Sequence, residues 1–151
     1  MIDESLVIRA APARVFAAFF DPAALATWWQ VARSITTPRP LGVYAVEWDA
    51  TEERDEILGR LGGVFSGRVV DVRKGQEFYV ADAWWLPPDG DPLGPMGLHV
   101  TCVAEGGGCR VRVQQQGGED TPRWRHYYEL TRPGWRSALE TLRHCLEQSS
   151  R

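Results

Sequence analysis

Lysine is all but missing from this chain of 151 residues: Lys74 stands alone, and arginine carries the rest of the positive charge. Cysteine is scarce as well. Cys102, Cys109 and Cys145 are an odd number without metal-ligand spacing, so no disulfide framework and no metal site is expected. Cys102 and Cys109 flank a glycine turn and could face each other across a hairpin, but a reduced, cytoplasmic protein is the simplest reading. No apolar run approaches the roughly twenty residues that span a bilayer. No basic N-terminal stretch leads into an apolar one, so neither membrane insertion nor a signal peptide is expected. A net charge of −3 does not supply the basic surface that nucleic acid requires. Catalytic signatures are missing too. Ser66 and Ser137 have no nucleophile context, and Gly106-Gly107-Gly108 turns between strands rather than opening a helix, so it is no phosphate loop. We therefore expect no catalytic residue and no cofactor.

What is present is an apolar and aromatic chain of one-domain size, read as a single unit over 1–151. Seven tryptophans bring large rigid apolar area. Residues 4–9 read as a strand. Pro12 suits the first turn of a helix, and Val15, Phe16, Phe19 and Phe20 recur at helical spacing. Asp21 is the natural N-cap of a second short helix carrying Leu25, Trp28 and Trp29. Residues 31–41 look like a loop or a weak edge strand. Val43 to Trp48 alternates, with Tyr44, Val46 and Trp48 on one face. The charged run 51–56 reads as a solvated loop. Strands are expected over 64–72 and 76–85, then a Pro/Gly loop over 86–95 that cannot continue a ladder. A hairpin follows, 96–104 with 109–116, whose apolar sides would be Leu98, Val100 and Cys102 against Val111 and Val113. Asp120 or Thr121 can cap a last helix with Pro122 in its first turn. Its stripe would run through Trp124, Tyr128, Thr131, Trp135, Leu139 (or Ala138), Leu142 and Leu146, with a bend at Pro133. No helix alternates with the middle strands, so parallel winding is excluded and an α+β arrangement is expected.

Several pieces carry a resemblance: the Pro12/Val15-Phe16 helix, Asp21-Pro22 followed by Trp28-Trp29, and Gly67 to Val72 followed by the strand ending Trp84-Trp85. Gly134-Trp135, Ala138-Leu139, Leu142 and Leu146-Glu147 complete it. In this order the chain resembles the helix-grip, START-related (SRPBCC) superfamily, in the branch similar to activator of heat-shock ATPase homologues. The resemblance implies a curved antiparallel sheet of about six to seven strands wrapped around a long C-terminal helix, with two short helices after the first strand. It also implies a hydrophobic cavity between sheet and last helix. Members bind lipids, polyketides or other apolar molecules, some act as cyclases, and some assist chaperones. A small apolar molecule is the expected partner, with a polyketide cyclase-like enzyme or a chaperone-assisting module as alternatives. A chaperone partner follows from the resemblance alone. Exposed strand edges and the many tryptophans allow a homodimer.

The candidate cavity-lining set is Trp29, Tyr44, Trp48, Phe65, Phe78, Trp84, Tyr128 and Trp135. These either bound a pocket for an apolar or aromatic guest, with indole N–H and phenol O–H groups orienting it, or fill the core. Asp82 sits among Phe78, Val80 and Trp84 on an alternating strand. Pointing inward it would be an acid/base candidate; otherwise it takes an edge position or pairs with Arg68 or Arg112. His99 reads as hydrogen-bonded or exposed, and His126 and His144 as solvated on the helix. Tyr127 and Tyr128 diverge by about 100° on a helix, so at most one shares the Trp124/Trp135 stripe.

Overall fold

Alternating apolar and polar residues through the middle of the chain build one antiparallel sheet, seen in a computed structural model that describes residues 1–148. The strands are β1 (Ile2–Ile8), β2 (Arg33–Thr36), β3 (Val43–Trp48), β6 (Gly63–Arg73), β7 (Glu77–Leu86), β8 (Leu93–Glu105) and β9 (Gly108–Gln116). Two further pieces, β4 (Arg54–Asp55) and β5 (Gly59–Arg60), form a separate small hairpin. The seven-stranded order is β1-β9-β8-β7-β6-β3-β2, so β1 closes one edge beside the last strand and β2 forms the other. Helices α1 (Pro12–Ala17) and α2 (Pro22–Trp28) follow β1, and α3 (Pro122–Gln148) ends the chain. This is the expected α+β architecture, with the sheet partly wrapped around α3.

Local chemistry sets the element ends. Asp21 caps α2 by accepting the Ala24 N–H at 3.3 Å, and Thr121 Oγ1 accepts the Trp124 N–H at the start of α3. Helix α3 runs 27 residues, roughly 40 Å, and continues through Pro133. Gly106 and Gly107 both take positive φ (56° and 80°) between the paired residues Glu105 and Gly108, as a tight two-residue hairpin turn requires. Across that hairpin Val100 faces Val113 and Cys102 faces Val111, all buried. Cys102 and Cys109 are also buried and remain thiols. Burial, and the neighbouring Cys109, push the Cys102 thiol up.

Two expectations give way. The loop assigned to 86–95 ends early: β8 begins at Leu93, which faces Trp85. Pro95 falls in the irregular stretch between the Leu93 and Met96 pairings, where a ladder donor is not needed. The charged stretch 51–56 is no plain solvated loop, because part of it forms β4 and Asp55 reaches α3.

The inner face of the sheet divides into two ends. At one, Phe16, Phe19 and Phe20 from the α1 region close on Phe78 and Tyr44, with ring centroids 4.8–5.9 Å apart. Tyr44 donates its hydroxyl to the Phe19 carbonyl at 2.9 Å, so even the polar atom of this end is satisfied. Burial drives its phenol pKa upward. The other end is not filled.

Candidate ligand-binding cavity

Between α2, α3, the sheet and the segment 49–62 lies a cavity of about 700 Å³. Its buried floor is made by Trp28, Phe65, Trp85, Tyr127, Trp135 and Ala138. Half-buried Trp29 and Trp48 stand higher, and Gln30, Asp49, Thr51, Ser137 and Thr141 form an exposed rim. Trp28 and Trp29 both reach it although adjacent in sequence. Trp29 has already left the helix (φ −117°, ψ 1°), and its ring stacks on Trp28 at 5.1 Å and 4°. Trp29 then meets Trp48 edge-on at 5.2 Å and Trp135 at 4.8 Å.

Indole N–H groups hold these rings in place. Trp28 donates to the Ala18 carbonyl, Trp48 to Trp29, Trp85 to Gly62 and Trp135 to Gln115 Oε1, all at 2.8–2.9 Å. Among the described residues Gln115 is the one fully buried polar side chain, at 2% exposure. It sits in the inner-face row between Ile2 and Leu98. Its amide nitrogen donates to Tyr127 Oη at 3.0 Å and approaches Met96 Sδ at 3.3 Å. Burial outweighs these contacts and pushes the Tyr127 phenol up to about 12, so it stays protonated at neutral pH. Among the described residues no group of three His, Cys, Asp or Glu is placed to hold a metal ion.

The structure brings four of the nine sequence-selected residues to the cavity: Trp29, Trp48, Phe65 and Trp135. Tyr44 and Phe78 lie instead in the filled aromatic end. Asp82 and Trp84 are exposed, Trp84 at 37% and lying over Gly94. The cause is a break in alternation. Phe78 and Val80 face inward, but Asp82 takes φ 49° where the register with β8 shifts, and the inward set resumes at Ala83 and Trp85. One inserted residue thus exchanges Trp84 for Trp85. Tyr128 stacks on Trp124 outside and donates to the Gly117 carbonyl at 2.7 Å, while Tyr127 turns inward.

Sequence reasoning missed Trp85, Tyr127, Gln115 and Trp28. Gln115 carried a signal: it continues the buried alternation of Cys109, Val111 and Val113 with an amide. It also missed the 49–62 segment, which supplies Thr51, Leu58 and Leu61 to the wall. Asp55 organises this flap by accepting the Ile57 and Leu58 N–H groups at 2.9 and 3.0 Å. His126 of α3 then donates Nε2–H to Asp55 Oδ2 at 2.8 Å, so it is not the free helical histidine expected. That hydrogen bond raises the His126 pKa, and it is the main cause holding Asp55 at about 2.

A sheet gripping a long terminal helix with a hollow between them defines the helix-grip class of the SRPBCC superfamily. Within it, the chain belongs to the family described as Activator of Hsp90 ATPase homolog 1-like protein, whose model matches residues 9–147. Among solved structures it is similar to protein CV1439 from Chromobacterium violaceum, at 25% identity and TM-score 0.68, covering 97% of this chain and 96% of that one. Protein Ms6760 from Mycobacterium smegmatis shares 15% identity at TM-score 0.75, over 97% of this chain and 90% of that one. The Aha1 dimer from Colwellia psychrerythraea shares 16% identity at TM-score 0.62, over 97% and 95%. No curated protein matches the chain.

Proposed function

We propose that the protein binds one small hydrophobic or aromatic molecule in the cavity between the sheet and α3, without chemistry of its own. The observation that carries this reading is the contrast between the two ends of one core. The Phe78 end is packed ring against ring, whereas the Trp135 end leaves about 700 Å³ walled by aromatic side chains. Pockets of this size and lining suit small-molecule guests. Acid/base chemistry of a cyclase kind finds no support at Asp82, which is exposed. The chaperone-assisting alternative rests on the family description alone. Three unbridged thiols suit a reducing compartment, the cytoplasm, and no helix of the described residues is long and apolar enough to cross a membrane.

A homodimer is part of the proposal. Ile35, Ala45, Ser66 and Trp84 form one row across β2, β3, β6 and β7, and Ile35, Val43, Trp84 and Leu86 are exposed. This apolar row beside an edge strand supports association. The similar Colwellia Aha1 was solved as a dimer. Native mass spectrometry of protein from its own host tests both statements. The expected spectrum is a dimer carrying an extra mass, with an apolar molecule released by denaturing extraction. A bare protomer, with nothing extracted, would count against both.

A further inference from the structure

The hydrogen-bond directions around Gln115 say which guests the cavity accepts, given that it is a binding cavity. An indole N–H can only donate, so Trp135 fixes Gln115 Oε1 as its acceptor at 2.8 Å. The amide nitrogen must then face Tyr127 and donate to its oxygen at 3.0 Å. Tyr127 is therefore an acceptor toward Gln115, and its own proton is directed elsewhere. The Thr131 hydroxyl lies beside it, also on the cavity wall, with its proton given to the Tyr127 carbonyl at 2.6 Å. With its own proton committed, Thr131 Oγ1 is an acceptor beside the phenol, so the Tyr127 proton has Thr131 at its side and the cavity before it, where a guest's acceptor can take it over.

The charges point the same way. Among the described residues no lysine, arginine or histidine lines the cavity, and the one ionisable wall group besides Tyr127 is the rim carboxylate Asp49. Arg33 is near Asp49 but is engaged by Glu47 at 2.8 Å. An anionic head group entering here would lose its hydration without gaining a cation, a heavy cost in an apolar site. We propose that the cavity selects neutral, flat aromatic molecules bearing a hydrogen-bond acceptor, such as a ketone, seated on the Tyr127 hydroxyl, and turns away carboxylate-headed guests such as fatty acids.

Three probes of one ring system test this: acetylpyrene, ethylpyrene and pyrenecarboxylate, titrated at pH 7 against tryptophan fluorescence. Acetylpyrene should bind at least about thirtyfold more tightly than the nearly isosteric carboxylate. Tyr127→Phe should weaken acetylpyrene about fivefold to tenfold and leave ethylpyrene within about twofold, one hydrogen bond being lost from one complex only. Pyrenecarboxylate binding within about threefold of acetylpyrene would overturn the selectivity and leave the container reading standing. So would a Tyr127→Phe protein that loses both neutral probes equally. If that variant does not fold, the ketone-against-carboxylate comparison on the unaltered protein decides. Failure of all three probes to bind would overturn the container reading, and the selectivity with it.

Discussion

Gln115, Tyr127 and Trp135 show how one buried amide fixes the orientation of two aromatic side chains. The indole N–H of Trp135, the amide of Gln115 and the phenol oxygen of Tyr127 each have a stated partner, and among the described residues no buried side-chain nitrogen or oxygen lacks one. Such a satisfied network holds a wall that borders the open cavity. Trp135→Phe removes the N–H to Gln115 Oε1 and leaves that carbonyl buried without its donor. The expected loss is about 1–3 kcal/mol in a urea titration, beyond what the smaller ring costs. A loss under about 0.5 kcal/mol would show that the amide contributes nothing to holding the wall. At this scale the sequence was legible for Trp48, Phe65 and Trp135, whose alternation or helical spacing continues from neighbouring buried residues, whereas Trp29 reaches the cavity by leaving its helix. Gln115 was not, because its inward direction only becomes informative once Tyr127 and Trp135 are known to converge on it.

Elements were readable to within a few residues, and the errors trace to backbone irregularities. Strand β7 alternates correctly through Val80 and then slips, since Asp82 occupies the left-handed region at φ 49°. Aspartate tolerates that region better than most residues, and a β-branched one does not. Asp82→Val should therefore cost about 1–2 kcal/mol although the position is exposed, whereas Asp82→Gly should not destabilise. Equal melting of the two variants would mean that the slip is not built on this residue. The flap 49–62 was unreadable because charged residues in sequence look solvated, and the link from Asp55 to His126 spans 71 positions.

That link gives the flap a pH dependence with a definite sign. His126 has a raised folded pKa, so its contribution is complete below its unfolded value of about 6.5 and fades as pH climbs through the raised one. Glu129 Oε2, 3.5 Å from Nδ1, adds to that raising. Asp55, held at about 2, contributes fully above its ordinary value of 3.8 and fails only as pH falls through 2. Both contributions are whole between about pH 4 and 6.5. His126→Ala should then lower the melting temperature more at pH 6 than at pH 9. An equal drop at both would show that the charge on His126 has no part in holding the flap.

At the scale of the whole molecule, the fold sorts aromatic rings into an end packed around Phe78 and a hollow end lined by five of the seven tryptophans, Trp28, Trp29, Trp48, Trp85 and Trp135. The α+β order, the antiparallel strands and the long last helix were legible because they rest on periodicity, caps and turns, which are local; the grip of sheet on helix came from the family resemblance. Which end is hollow was not, because it depends on how α2, α3 and the flap converge from three distant parts of the chain. Tyr44 and Phe78 illustrate it: their strand faces were evident, but the rings of Phe16, Phe19 and Phe20 fill the space above them.

The measurement that tests the hollow end most directly is titration of Nile red, a neutral aromatic ketone, into the protein and into Ala138→Trp. Ala138 lies on the cavity wall in α3, and an indole there would occupy the space without touching the Phe78 end. We expect saturable binding of one dye per chain by the unaltered protein, at least a tenfold weaker affinity (about 1.4 kcal/mol) in Ala138→Trp, and unfolding midpoints that agree. Unchanged dye binding in a folded Ala138→Trp protein, or no binding to either, would contradict a guest held between sheet and helix.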